Sequence, residues 1–296
     1  MKFRTRMQGE LISFVTEDGL EIEGLLCPYP KSKTCLVHVH GMTDNFVGLA
    51  AVDALANAAY KNKMSFFTFN NRGMGTITVF QRLKEHLLFR TFGTSFENFK
   101  ECIYDIHAAL NVLRELGYSS FVLSGHSTGC QKITYYQYRK GARSVKGLIL
   151  LAPSDDYNFQ IKKLGKRTFH EMLYIARRLV RLGKGRELMP FEAEPSYFSA
   201  KRYYELYRPG SVEGELFNYE GKMRAVSSVK VPILALFSEK EEFAAMPPRK
   251  MLRTLQGKFQ NPLSKTFFVQ HADHCFCRHE REVKAVAQKW MNKLEF

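Results

Sequence analysis

The sequence predicts an α/β protein with a mostly parallel central sheet, an N-terminal antiparallel hairpin, helices on both faces of the sheet and one helical insertion. Three observations predict it. Short apolar runs alternate with segments whose apolar residues recur every three or four positions. Two strand-like runs near the start flank a tight turn, and the alternation halts over residues 154–230 and then resumes.

Residues 11–14 and 20–26 flank the turn residues Glu17-Asp18-Gly19, and Cys27-Pro28-Tyr29-Pro30 ends the second strand. A β-branched strand at 34–40 leads through a loop at 41–45 into a helix whose Leu49, Val52, Leu55, Ala56 and Ala59 share one side. The unit recurs as strand 65–70, helix 99–116, strand 121–124, helix 128–140 and strand 145–151. After the interruption come strand 232–237, helix 248–255, strand 265–269 and helix 281–294. This assigns 1–153 and 231–296 to the core and 154–230 to an insertion over the sheet's edge, with helical spacing over Phe169, Met172, Leu173, Ala176 and Leu179.

A chain of 296 residues with 45% hydrophobic and 25% charged content can bury a large core, which excludes fibrous and disordered classes. Its longest apolar runs, 147–153 and 231–237, fall well short of the roughly 18 residues a membrane span needs. The basic start, 1–9, leads into acidic residues rather than a long apolar stretch, so no secretory signal is expected. Six cysteines in this length do not make a disulfide framework, so free thiols and a cytoplasmic location are expected. The net charge of +15 favours anionic partners, but no nucleic-acid-binding motif accompanies it, and nucleic acid ranks last.

Gly125-His126-Ser127-Thr128-Gly129 sits between a strand and a helix, the context in which Gly-x-Ser-x-Gly has chemical meaning. A serine at such a sharp turn is thrown clear of the sheet, and small neighbours permit the close approach. The helix beginning there aims N–H groups and its positive dipole end at the site, which suits a developing oxyanion.

On these residues the chain resembles the α/β-hydrolase superfamily over nearly its whole length, in the serine esterase and lipase-like branch with a helical cap. The resemblance implies an α/β-hydrolase fold. His38-Val39-His40-Gly41-Met42 is similar to the family's His-Gly-x turn, which implies that the Met42 and Thr128 N–H groups form the oxyanion hole. Asn70-Asn71-Arg72-Gly73-Met74-Gly75 resembles the family's Asp-x-Arg-Gly-x-Gly turn with Asn70 replacing the acid, and is given a structural role.

A serine hydroxyl needs a base to take its proton, and the base needs an orienting carboxylate; the family order is Ser, acid, His. In His271-Ala272-Asp273-His274-Cys275-Phe276, His274 matches the family's final histidine, His271 is its rival, and Asp273 is a loop or cap residue. The acid is expected in Ser238-Glu239-Lys240-Glu241-Glu242-Phe243, where Glu241 falls at the position of the usual aspartate. Glu242 is the alternative and Glu239 a weaker one.

The dense His/Cys tract from His271 to His279 lacks metal-ligand spacing and a second cluster, so no metal and no cofactor is expected. Cys130 is expected to pack against the sheet. The resemblance implies that the insertion is a cap shaping the pocket, with Tyr197, Phe198, Tyr203, Tyr204 and Tyr207 lining that pocket or filling the cap's core. A second reading of its Lys- and Arg-rich helix is a basic amphipathic surface resting on an anionic membrane. The chemistry expected is hydrolysis of a small-molecule ester or thioester through an acyl-enzyme. The alternatives are a catalytically quiet ligand- or partner-binding protein and an acyltransferase using the same triad.

Overall fold

A computed structural model describes residues 7–83 and 87–296; residues 1–6 of the basic N-terminal stretch lie outside them. The chain opens with β1 (Glu10–Val15) and β2 (Glu21–Cys27), paired antiparallel through the predicted turn. Next come β3 (Thr34–Val39), α1 (Ala50–Lys61) and β4 (Ser65–Phe69). A hairpin that the sequence reading did not find follows, β5 (Thr78–Leu83) with β6 (Leu87–Phe92), forming a small sheet of its own. Then come α2 (Cys102–Glu115), β7 (Ser120–His126), α3 (Thr128–Lys140) and β8 (Val145–Leu151). The segment 154–230 carries α4 (Asp156–Leu164), α5 (Lys166–Arg181), α6 (Ala200–Tyr207) and α7 (Arg224–Ser228). The chain closes with β9 (Ile233–Lys240), α8 (Pro248–Gln256), β10 (Lys265–Asp273) and α9 (Glu280–Met291).

The main sheet runs β1-β2-β4-β3-β7-β8-β9-β10; the pairs β1/β2 and β2/β4 are antiparallel and every pair from β4 to β10 is parallel. Alternate residues of each strand feed two apolar layers. Val37, Leu123 and Leu150 face α2 and α3 through Ile106, Leu110 and Ile133, whereas Leu36, Val122 and Ile149 face α1 and α9 through Val52, Leu55, Val283 and Trp290. Burial on both sides is why these strands read as near-continuous apolar runs. From β3 the chain builds outward to β4 on one side and to β7 on the other, so a crevice opens at the carboxyl ends of β3 and β7, where open parallel sheets bind ligands.

The insertion leaves the sheet at the carboxyl end of β8 and returns at β9. These two strands are hydrogen-bonded neighbours, so it rises over the strand ends rather than from an outer strand. It has an apolar cluster of its own, containing Phe169, Met172, Ala176, Phe198, Tyr203 and Tyr207. The apolar stripe of α5 is therefore turned inward onto α6. Among the described residues no helix is long and apolar enough to cross a membrane.

Candidate active site

A single residue, Ser127, separates β7 from α3. Its backbone sits at φ 53°, ψ −125°, a region that costs a residue with a Cβ on the order of 1–3 kcal/mol. The flanking glycines show what holds it there. A Cβ on Gly125 would lie 2.4 Å from the Gly129 carbonyl, and one on Gly129 would lie 2.1 Å from Val39 O. The first turn of α3 is thus pressed onto the end of β3, with no room for side chains at either glycine. Cys130 fills the space behind, its Sγ 3.1 Å from Gly125 O and 3.3 Å from Leu151 O; burial pushes its thiol well above the usual range, so it packs as expected.

The turn after β3 touches this elbow. A Cβ on Gly41 would meet His126 O at 2.9 Å, Ser127 Cβ at 3.1 Å and Thr128 N at 3.6 Å, which brings the Gly41-Met42 backbone alongside that of Thr128. Thr128 opens α3, so its N–H belongs to the first-turn donors that have no intrahelical acceptor. The turn is fixed from below. His40 Nδ1 donates to Gly41 O (2.8 Å), His40 Nε2 accepts from Asn71 N (3.0 Å), and Asn71 Nδ2 donates to His40 O (3.1 Å). Burial, aided by Lys132, depresses His40 to about 3, so the ring is neutral and can play both roles. The Asn70-Asn71-Arg72-Gly73 turn is therefore structural: Asn70 Oδ1 accepts from Phe46 N (3.2 Å), and the fully buried Arg72 pairs with Asp105 (2.7 Å) and Asp18 (3.1 Å).

His274 follows the end of β10, its Nδ1 2.6 Å from Glu241 Oε1. A carboxylate can only accept, so Nδ1 is the donor in this contact. Glu241 stands directly after β9, and its other oxygen accepts from Ser238 Oγ (2.7 Å) while Phe243 N donates to Oε1 (3.2 Å). Burial would raise this carboxyl, but the hydrogen bonds from His274 and Ser238 help to outweigh it and hold Glu241 below the usual glutamate value. Two rings pack near the imidazole, Phe243 and His126, each with its centroid 4.7 Å away. His126 Nε2 donates to His274 O (3.0 Å), and Glu242 accepts from His274 N (2.9 Å). Of the candidate acids, Glu241 meets the ring and Glu242 the backbone, while Glu239 pairs with the exposed His271, at 3.3 Å from its Nδ1. Asp273 caps its own loop by accepting from Cys277 N (2.8 Å).

Ser127, His274, Met42 and Thr128 line one cavity of about 360 Å³, and Glu241 stands behind His274. Tyr197 and Asp156 reach it from the insertion and Phe243 from the loop after β9, whereas Phe198, Tyr203 and Tyr207 are buried in the insertion's core. The sequence reading missed Asp156 and Phe243 as site residues. Asp156 had a local signal only as the first residue of a helix capped by Asp155, whose Oδ1 accepts from Asn158 N (3.0 Å). Among the described residues no three His, Cys, Asp or Glu side chains form a metal-ligating group.

Comparison with known proteins agrees with this architecture. The family described as "Protein of unknown function (DUF1749)" matches residues 20–293. No protein of curated function matches the chain. Among solved structures, the siderophore hydrolase EstB from Aspergillus fumigatus is similar with a TM-score of 0.67 at 17% identity, covering 97% of both chains. Est1E from Butyrivibrio proteoclasticus, solved with ferulic acid bound, gives 0.63 at 14% identity, covering 95% of this chain and 98% of its own. The carboxylesterase CesB from Bacillus subtilis gives 0.57 at 16% identity, over 97% and 91% respectively. At such identities the likeness establishes the α/β-hydrolase fold, the one the sequence motifs implied.

Proposed function

The chain belongs to the DUF1749 family, and we propose that it is a serine hydrolase cleaving a carboxylic ester or thioester through an acyl-enzyme. The observation that carries this reading is the 2.6 Å contact of Glu241 with His274, behind a cavity that His274 shares with the strained Ser127. Ser127 Oγ attacks the carbonyl carbon as its proton passes to His274 Nε2, and Glu241 orients the ring and balances its charge. The Met42 and Thr128 N–H groups hold the oxyanion. Collapse expels the alcohol or thiol, which takes the proton from His274. Water then attacks the acyl group with His274 again as base, releasing the acid and restoring Ser127.

The segment 154–230 acts as the cap, since it contributes Tyr197 and Asp156 to the cavity wall. The similar structures named as a siderophore hydrolase and a carboxylesterase support ester chemistry on this fold. The testing experiment is labelling with a fluorophosphonate probe followed by peptide mapping. Adduct confined to Ser127, and lost in Ser127→Ala, is the expected result; a folded protein that takes no label would overturn the reading.

A further inference from the structure

The cavity beside Ser127 is lined by two carboxyl side chains, Asp44 and Asp156, and by no Lys or Arg among the described residues, in a chain of net charge +15. Asp156 Oδ2 accepts from Gln131 Nε2 at 2.8 Å. The guanidinium acting on it, that of Arg202, is already taken by Glu213 and Glu97. Thr128 and Gln131, each 1% exposed and one helical turn apart on α3, hold the side-chain oxygens Oγ1 and Oε1 without hydrogen-bond partners among the described residues. Of these two, Thr128 lines the cavity and Gln131 stands outside its lining, holding Asp156 by its amide, so the wall offers carboxyl groups with no cation to match them.

A protonated amine supplies what is missing, up to three N–H donors and a positive charge. Tyr197 and Phe243 add aromatic faces on which a cation can rest. An anionic ester would instead meet two carboxyl groups and no cation. We propose that Asp156, held by Gln131 and with Thr128 beside it in the cavity wall, forms a specificity subsite for a protonated amine carried by the ester substrate. The proposal rests on the serine-hydrolase reading. Burial, together with Glu213 and Asp155, raises the Asp156 carboxyl well above the usual range, and a bound ammonium is the partner that would restore its ionised form.

The test is hydrolysis of two matched ester pairs by the full chain. One pair puts the amine on the acyl side, α-N-acetyl-lysine methyl ester against α-N-acetyl-norleucine methyl ester. The other puts it on the alcohol side, 3-(dimethylamino)propyl butyrate against 4-methylpentyl butyrate. The amine member of at least one pair is expected to be preferred by about tenfold or more in kcat/KM, mostly through KM, as one charge-assisted hydrogen bond would give. The preference should collapse in Asp156→Asn. An enzyme that labels at Ser127 and turns over p-nitrophenyl butyrate, yet prefers neither amine or keeps its preference in Asp156→Asn, would overturn the subsite alone. If no ester is turned over and Ser127 takes no label, the hydrolase reading fails. The subsite is then judged by calorimetry with pentylammonium and 1-pentanol, where equal or absent binding overturns it.

Discussion

Gln131 and Lys132 are adjacent in α3 yet belong to two buried polar clusters built on opposite plans. Around Lys132, each buried charge meets its opposite: Lys132 pairs with Glu97 (2.8 Å) and donates to Asn71 Oδ1 (2.8 Å), and Arg202 pairs with Glu97 (3.3 Å) and Glu213. Around Gln131 the described residues make no such ion pair, although unpartnered buried atoms occur in both clusters, Arg202 Nε among them. Asp156 has an amide for a partner instead of a cation, Thr128 and Gln131 keep unpartnered oxygens among the described residues, and Ser127 is strained. The first cluster ties the insertion to the sheet and to the turn that positions Met42. The second borders the cavity through Ser127, Thr128 and Asp156. The difference separates residues whose charges hold the fold together from residues that the proposed chemistry would use.

Substitutions in the two clusters should therefore fail in different assays. Glu241→Gln is expected to lower kcat by about 10⁴-fold, roughly 5.5 kcal/mol, because an amide can present N–H to His274 Nδ1 and favour the wrong tautomer. Its melting temperature should fall less than that of Glu97→Gln, as read by calorimetry. Glu97→Gln leaves Lys132 and Arg202 short of their shared carboxylate, and should cost about 3–5 kcal/mol in urea unfolding. If Glu97→Gln instead left stability unchanged, the contrast between the clusters would be broken.

Acidity sharpens the same contrast. Burial would raise Glu97, but Lys132 and Arg202 hold it below its ordinary value, as His274 and Ser238 do for Glu241. A depressed carboxyl contributes stability that is complete above its unfolded value near 4.5 and is lost as pH falls through the folded value, so acid unfolding should set in below about pH 4.5. Asp156 has the opposite sign. Its raised folded value means that stability is lost as pH climbs above the unfolded 3.8 and through the folded value. Asp156→Asn should thus stabilise the protein at pH 7 by about 1 kcal/mol, a rise of a few degrees in Tm, and the gain should vanish in acid.

The fold was legible because its strands carry two-sided apolar runs and its helices one-sided stripes, and the elbow because strand, Gly-x-Ser-x-Gly and helix are contiguous. The β5–β6 hairpin was missed although Phe80 and Arg82 alternate with Val79, Gln81 and Leu83. That alternation is a half-buried ribbon's, and it differs from the buried parallel runs around it. Three neighbouring acids look alike in sequence. Only the pairing of β9 with β10, 33 positions apart at the Glu241–His274 contact, turns Glu241 toward the ring and Glu242 toward the backbone. Asp156 was invisible for a similar reason, since its place in the cavity is set by how the insertion folds back over the strand ends.

Activation of Ser127 by this constellation is tested most directly by the kcat/KM of Ser127→Ala on an ester that the parent protein hydrolyses. A loss of at least about 10⁴-fold with an unchanged melting temperature is the expected result. Activity within a few-fold of the parent would contradict it, and would move the chemistry away from the β7–α3 elbow.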